Sequence, residues 1–286
     1  EEVLYQALET MEESGYRLLY LGPIYETYIS LFACTDDLET QSFDPAQNED
    51  VAEYFEQVLV FAQDSEQIQI ELLGENTIRL SVSEEYQSFA EEWGITSYID
   101  FYWLTNAFII DYMADILIEN GYTQGAISSY DGFSRNLGSD DTFWSFNIYD
   151  RVGDTMYPAA LLQYEGAISI VRLRNYGQST LDTQHYYEFE DGEIRTAYID
   201  ETDGHDKTSI NDLVAYSADD ETGCVDILLQ MIPVYIADVF DADALEELAE
   251  RGIYSIYCED QVVYCNDPDV SLTNLYDEDG VTYTLG

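Results

Sequence analysis

Two histidines, four cysteines and 59 acidic residues are the groups in this chain with chemistry to offer, and their spacing limits it. His205 lies in the polar stretch ETDGHDKTS, read as a surface loop. His185 adjoins Tyr186 and Tyr187 in a strand-like run, where an imidazole packs half-buried more readily than it serves as a base. Two histidines leave a histidine-based metal site or a Ser–His–Asp triad little to be built from. Cys34, Cys224, Cys258 and Cys265 form no C-x-x-C pair and are too scattered for a disulfide framework. Cys258 and Cys265 flank the hairpin YCEDQVVYC; free packed thiols are the first expectation, and a bridge forms only if the register brings the two together. No Walker loop, dinucleotide fingerprint or HExxH stretch is present. YSADDETG and NLYDEDG are candidate cation loops, but neither has the liganding order of an EF-hand, so solvated loops are expected.

One further stretch raises a chemical question. SYIDFYWLTNAFIIDYMADILIENGY, residues 97 to 122, begins strand-like, crosses Phe101, Tyr102 and Trp103, and continues as a helix. A strand-to-helix turn that wraps a ligand ordinarily needs glycine, so that backbone can approach closely or take positive φ. Here the turn is filled. Tyr102 and Trp103 are either core residues or the walls of a stacking surface for a planar ligand.

The elements that must hold these groups alternate without a repeat period. Residues 1 to 20 carry acidic and apolar positions at helical spacing until Gly22 and Pro23 break the pattern. YETYISLFACTDD reads as a strand, NEDVAEYFEQVLVFAQD as an amphipathic helix behind an Asp50 cap, and IQIELL with TIRLSVS as a strand pair around GEN. GAISSYDGFSRNLG reads as a buried strand, a turn at Asp131-Gly132 and a second strand. A strand-rich run with a turn at EDGE follows, then the helix CVDILLQMIPVYIADVF, the short helix DALEELAERG and a last hairpin around EDQ. The fold class is therefore α+β, or mixed α/β. With 286 residues and 46% hydrophobic content, one large domain is expected. Roughly three-quarters of its unfolded surface would be removed from water. We read residues 1–286 as a single domain with two intimately packed lobes, about 1–95 and 96–286.

Charge excludes more than the motifs do. Nine basic residues, Lys207 the only lysine, face 59 acidic ones for a formal charge of −50. Such a surface repels phosphate backbones and anionic headgroups, so nucleic acid and membrane-surface partners are not expected. No run of 18 apolar residues predicts a membrane span. The chain opens on EEVLYQALE without a basic, apolar leader, which fits a cytosolic protein or one whose export signal has been removed.

Several segments, taken in order, resemble the ApbE family, the FAD:protein FMN transferases. DFYWLTNAFIID, from Asp100 to Asp111, lies over a family stretch close to Asp-Leu-Gly-Gly-Ile-Ala-Lys-Gly-Tyr-Ala-Val-Asp. It keeps both end aspartates but puts Tyr102 and Trp103 at the glycine pair, Asn106 at the lysine and Ala107 at the next glycine. SYDGFSRNLG is similar to Asn-Leu-Gly-Gly-Asp-Ile-Arg-Ala-Leu-Gly, with Ser129 and Asp131 substituted and Gly132, Arg135, Leu137 and Gly138 retained. TLDTQHYYEFEDG keeps only Thr180 of a Thr-Ser-Gly landmark. AYIDETDG falls on His-Ile-Ile-Asp-Pro-x-Thr-Gly with Ala197, Glu201 and Asp203 at the histidine, proline and threonine. VDILLQM keeps Asp226 and places Gln230 at a threonine, while YETYISLF keeps Thr27 of an N-terminal Met-Gly-Thr strand.

The resemblance spans nearly the whole chain and implies the flavin-transferase fold. In the family, FMN passes from FAD to a protein threonine with the help of magnesium. Carried over residue by residue, it implies cofactor-binding positions at Asp111, Asp131, Gly132 and Thr180, and magnesium ligands at Asp226 and Gln230, joined by a backbone oxygen of Ser179 or Thr180. Asp226 also suits a cap on the helix DILLQM. The joint loss of glycines, lysine, histidine and Ser-Gly implies a degenerate site with no catalytic residue and no cofactor, acting as a binding module for a small molecule or protein. The alternative is a working transferase that uses FAD and Mg2+. Family members are commonly exported or lipid-anchored, so an extracytoplasmic place is expected.

Overall fold

The computed structural model describes residues 2–139, 141–178 and 186–286. The chain divides into two compact units, Glu1–Trp103 with Leu181–Lys207, and Leu104–Thr180 with Thr208–Gly286.

The first unit begins with α1 (Glu2–Ser14). The helix does not run to residue 20 as its periodicity predicts, because Gly15 takes φ 76° and stops it. Gly22 and Pro23 then open α2 (Gly22–Tyr28) instead of breaking a helix, since proline suits a first helical turn. The strand expected over residues 25–37 is in fact α2 followed by a 3-10 turn, Ile29–Ala33, and the start of α3 (Asp37–Gln41). Tyr25, Tyr28, Leu31 and Phe32 recur at spacings of three and four and are buried, a helical face that β-propensity disguised. α4 (Glu49–Ala62) is capped by Asn48, not Asp50: the Asn48 side chain accepts the Asp50 N–H at 3.1 Å. β1 (Ile68–Gly74) and β2 (Thr77–Val82) form the expected hairpin, with Glu75 and Asn76 at positive φ in its turn. α5 (Glu84–Trp93) follows, capped by Ser83 and ended by Gly94 at φ 71°. Residues 97–101 form no strand. They cross Gly22 so closely that a Cβ there would stand 2.8 Å from the Ile99 nitrogen. The same unit holds the short hairpin Tyr186–Glu188 and Ile194–Thr196 (β8 and β9 in chain order) around the turn read at EDGE.

The second unit is built on a seven-stranded sheet. After α6 (Thr105–Glu119) come β3 (Gly125–Ser128), β4 (Phe133–Leu137), β5 (Phe143–Val152), β6 (Thr155–Glu165) and β7 (Ile168–Arg174). Past β8 and β9 lie β10 (Asp212–Ser217), α7 (Cys224–Tyr235), α8 (Ala242–Ala249), β11 (Tyr254–Glu259), β12 (Val262–Cys265) and β13 (Ser271–Thr273). Three two-residue strands close the chain, β14 (Asp277–Glu278), β15 (Val281–Thr282) and β16 (Thr284–Leu285). The order β16-β12-β11-β10-β7-β4-β3 makes a sheet that is antiparallel except at the β12–β16 pair. β7 and β10 are its spine, and every residue of both is buried. A three-stranded sheet, β13-β6-β5, supplies Ile148, Leu162 and Tyr164 to a shared core with Ile170, Val214 and Ile256. α6 and α7 pack on β4 and β7. β3, expected to be buried, is an edge strand with three of its four residues exposed, and β4 takes the buried place. Among the cysteines, Cys258 stands opposite Val263 and Cys265 opposite Ile256, so the register separates them and all four thiols are free.

Candidate functional site

The turn at the head of α6 keeps the backbone shape of a glycine turn without the glycine. Tyr102 has φ 44°, the left-handed region that side chains with a Cβ seldom adopt. Its N–H donates to Asp100 Oδ1 at 2.7 Å, which holds the turn locally. The Tyr102 ring stacks on Tyr25 with centroids 4.8 Å apart, and Trp103 meets Tyr198 edge-on at 5.1 Å. All four rings belong to the first unit. Burial pushes the Tyr102 phenol well above its ordinary range, so it stays protonated.

In the second unit, Asn106 donates to Asp131 Oδ2 at 2.8 Å, while Asp131 Oδ1 is buried without a partner. Gly132 has φ 110°, and a Cβ there would lie 2.1 Å from the Arg172 carbonyl oxygen. The Arg172 N–H donates to the Gly132 carbonyl at 2.9 Å. This glycine is thus required by the approach of β7, whatever else it does.

Asp111, on the inward face of α6, accepts the Cys224 and Val225 N–H groups, each at 2.8 Å, and Arg135 Nη1 at 3.0 Å. It covers the first turn of α7, where unpaired N–H groups and the helix dipole would otherwise attract an anion. Gly223 makes room for it: a Cβ there would stand 2.5 Å from Asp111 Oδ2. Asp226 accepts the Gly223 N–H at 2.9 Å and so caps α7 from inside its first turn. Gln230 donates from Nε2 to the Asp226 carbonyl at 3.3 Å. Asp111, Arg135 and Asp226 are therefore brought together around one helix start, held by protein groups. Ser179, Thr180 and His185 lie outside the described residues.

The other expected positions fall in the first unit. Ala197 is fully buried, and Glu201 accepts the Arg17 N–H at 2.6 Å. Burial raises the Glu201 carboxyl above its ordinary range. Lys207 sits between Asp200 at 2.9 Å and Asp203 at 2.6 Å. The His205 N–H donates to Asp203 Oδ1, in the loop the sequence indicated. Among the described residues no group of three or more His, Cys, Asp or Glu side chains is placed to hold a metal ion.

Sequence reasoning missed a cavity of about 370 Å³ beside β4, lined by Arg135, Leu137 and Gly138 with Asp115, Asp219 and Asp220. Its one legible signal is that Asp115 follows Asp111 by a helical turn and so shares its face. Burial raises the Asp115 carboxyl, and the Arg135 charge opposes that rise.

The chain has the fold of the ApbE flavin transferases. The chain is similar to the crystal structure of the ApbE protein of Thermotoga maritima, with TM-score 0.58 and 11% identity over 94% of this chain and 74% of that one. It is likewise similar to the flavin transferase ApbE of Vibrio cholerae, with TM-score 0.53 and 14% identity over 98% and 74%. No protein-family model and no curated protein matches the chain. No helix among the described residues is long and apolar enough to cross a membrane.

Proposed function

We propose that this chain keeps the flavin-transferase fold without flavin transfer and works outside the cytoplasm as a binding or interaction module. One observation carries the reading. Tyr102 stands where the resemblance places a glycine; it takes a positive φ, and its ring stacks on Tyr25. The surrounding positions support it. Asn106, at the lysine position, adds no cation and is bonded to Asp131. Asp111 and Asp226 spend their carboxylates on α7. These residues suit a flavin dinucleotide poorly. The extracytoplasmic placement is carried over from the resemblance.

The test is the visible spectrum of the purified protein, followed by a fluorescence titration with FAD with and without magnesium. A colourless protein that leaves FAD fluorescence unchanged is the expected result. A stoichiometric bound flavin, or saturable magnesium-dependent binding, would overturn the proposal.

A second reading has one observation in its favour: the acidic residues of the matched segments, Asp111 and Asp226, gather at the start of α7. On that reading the chain is a magnesium-dependent FAD:protein FMN transferase. Flavin-labelled threonine in a target protein incubated with FAD and magnesium would establish it.

A further inference from the structure

The outward face of α6 carries an apolar stripe that the fold leaves uncovered. Ile109, Tyr112, Met113 and Ile116 are each between 39% and 46% exposed, although the opposite face, through Ala107, Ile110 and Ala114, is buried. The spacings of three, four and seven place all four side chains within a narrow arc of the helix. Exposed large side chains scattered singly need no explanation, but a helical stripe of four is an organised surface. Its continuation includes Tyr122, 63% exposed, just before the exposed edge strand β3. One margin is acidic: Asp115 and Glu119 flank the stripe on the same helix, and both are exposed.

Charge selects among the occupants such a face would accept. A second copy would bring another −50 body against it, with no basic residue on α6 to offset the repulsion. An anionic lipid surface is repelled by the same field. A cationic partner gains on both counts: apolar residues at helical spacing meet the stripe, and lysines or arginines meet Asp115 and Glu119. We propose that the outward face of α6 is a docking surface for a basic amphipathic helix of another protein. This goes beyond the reading above and does not depend on it, since FAD titration and peptide titration succeed or fail separately.

The probe is a synthetic leucine–lysine peptide of about 18 residues with leucines at helical spacing, compared with a scrambled peptide of the same composition. Any cationic peptide will be drawn to this chain, so the difference between the two is the readout. The amphipathic peptide is expected to bind at least about tenfold more tightly by fluorescence anisotropy at physiological salt. The double substitution Met113→Glu and Ile116→Glu should erase that difference while leaving the scrambled peptide's affinity and the circular dichroism spectrum unchanged. Tyr112→Ser with Met113→Ser, which adds no charge, should reduce it in the same direction. Equal affinity of the two peptides, or a preference that survives in the variants, overturns the proposal. So does light scattering that shows a dimer dispersed by Ile116→Glu, because the face would then belong to a second copy.

Discussion

At the scale of single residues, the left-handed Tyr102 can be argued from magnitudes. A non-glycine residue in this region costs on the order of 1–2 kcal/mol, whereas deleting a packed aromatic ring costs about 3–5 kcal/mol. Tyr102→Gly is therefore expected to lower stability by about 2 kcal/mol despite relieving the strain. Denaturant unfolding checks this, and a glycine variant more stable than the parent would mean the ring contributes little. Asp206 gives a pH test. Burial pushes its carboxyl up to about 6, with Arg195 opposing the rise and Asp44 adding to it. A carboxyl raised above its unfolded value binds its proton more tightly in the fold, so its contribution is complete below the unfolded pKa and lost as pH climbs through about 6. Between about pH 5 and 7, clear of the isoelectric point near 4.1, the loss is about 1 kcal/mol. Asp206→Asn should flatten this slope relative to the parent in urea unfolding; parallel slopes would refute the assignment. The bulky run through Tyr102 and Trp103 was legible in the sequence, but the left-handed φ of Tyr102 was not, because a side chain with a Cβ seldom adopts it. The partners of Asp111 were not, since Cys224 and Val225 lie more than a hundred residues away and contribute only backbone N–H groups.

At the scale of elements, Asp111 joins α6, α7 and β4 through one carboxylate. Asp111→Asn replaces one accepting oxygen with an N–H₂ group, so an α7 N–H loses its acceptor in either orientation: Val225 if the nitrogen takes the Oδ2 place, Cys224 together with Arg135 if it takes the Oδ1 place. A loss of about 2–3 kcal/mol is expected. If Asp111 instead served mainly a bound cofactor, the substitution would change ligand affinity and leave apo stability near that of the parent. Thermal unfolding of the apo protein separates the two. Hairpins were the elements best read in advance: GEN, EDGE and EDQ each name a turn through short-range chemistry alone. Residues 25–37 were misread because Tyr, Ile and Phe favour strands locally, while burial of Tyr25, Tyr28, Leu31 and Phe32 on one face decides for helix. β3 was misplaced for a related reason. Gly125–Ser128 looks apolar, and no local signal shows that a sheet ends there.

At the scale of the whole molecule, the field is set by what the few cations are doing. Arg135, Arg172, Arg195 and Lys207 are all paired with carboxylates of their own unit, so they do little to relieve the surface as a whole. The remaining acidic excess repels itself, and salt should stabilise the fold by screening it. Raising sodium chloride from about 0.1 to 1 M shortens the Debye length from about 10 to 3 Å, and the thermal midpoint should rise by about 5 °C or more. Sodium and potassium chloride should act alike, because screening depends on ionic strength and not on fit. A rise that saturates at micromolar magnesium or calcium would instead mean a built cation site, against the absence of a metal-binding cluster among the described residues. The same field gives any residual FAD affinity a telling sign. A basic nucleotide site weakens with salt, whereas a dinucleotide approaching this chain must first overcome repulsion, so its binding should strengthen as salt rises. Titration of FAD at low and high sodium chloride decides it: affinity that falls with salt would reveal a local cationic pocket that dominates the global charge.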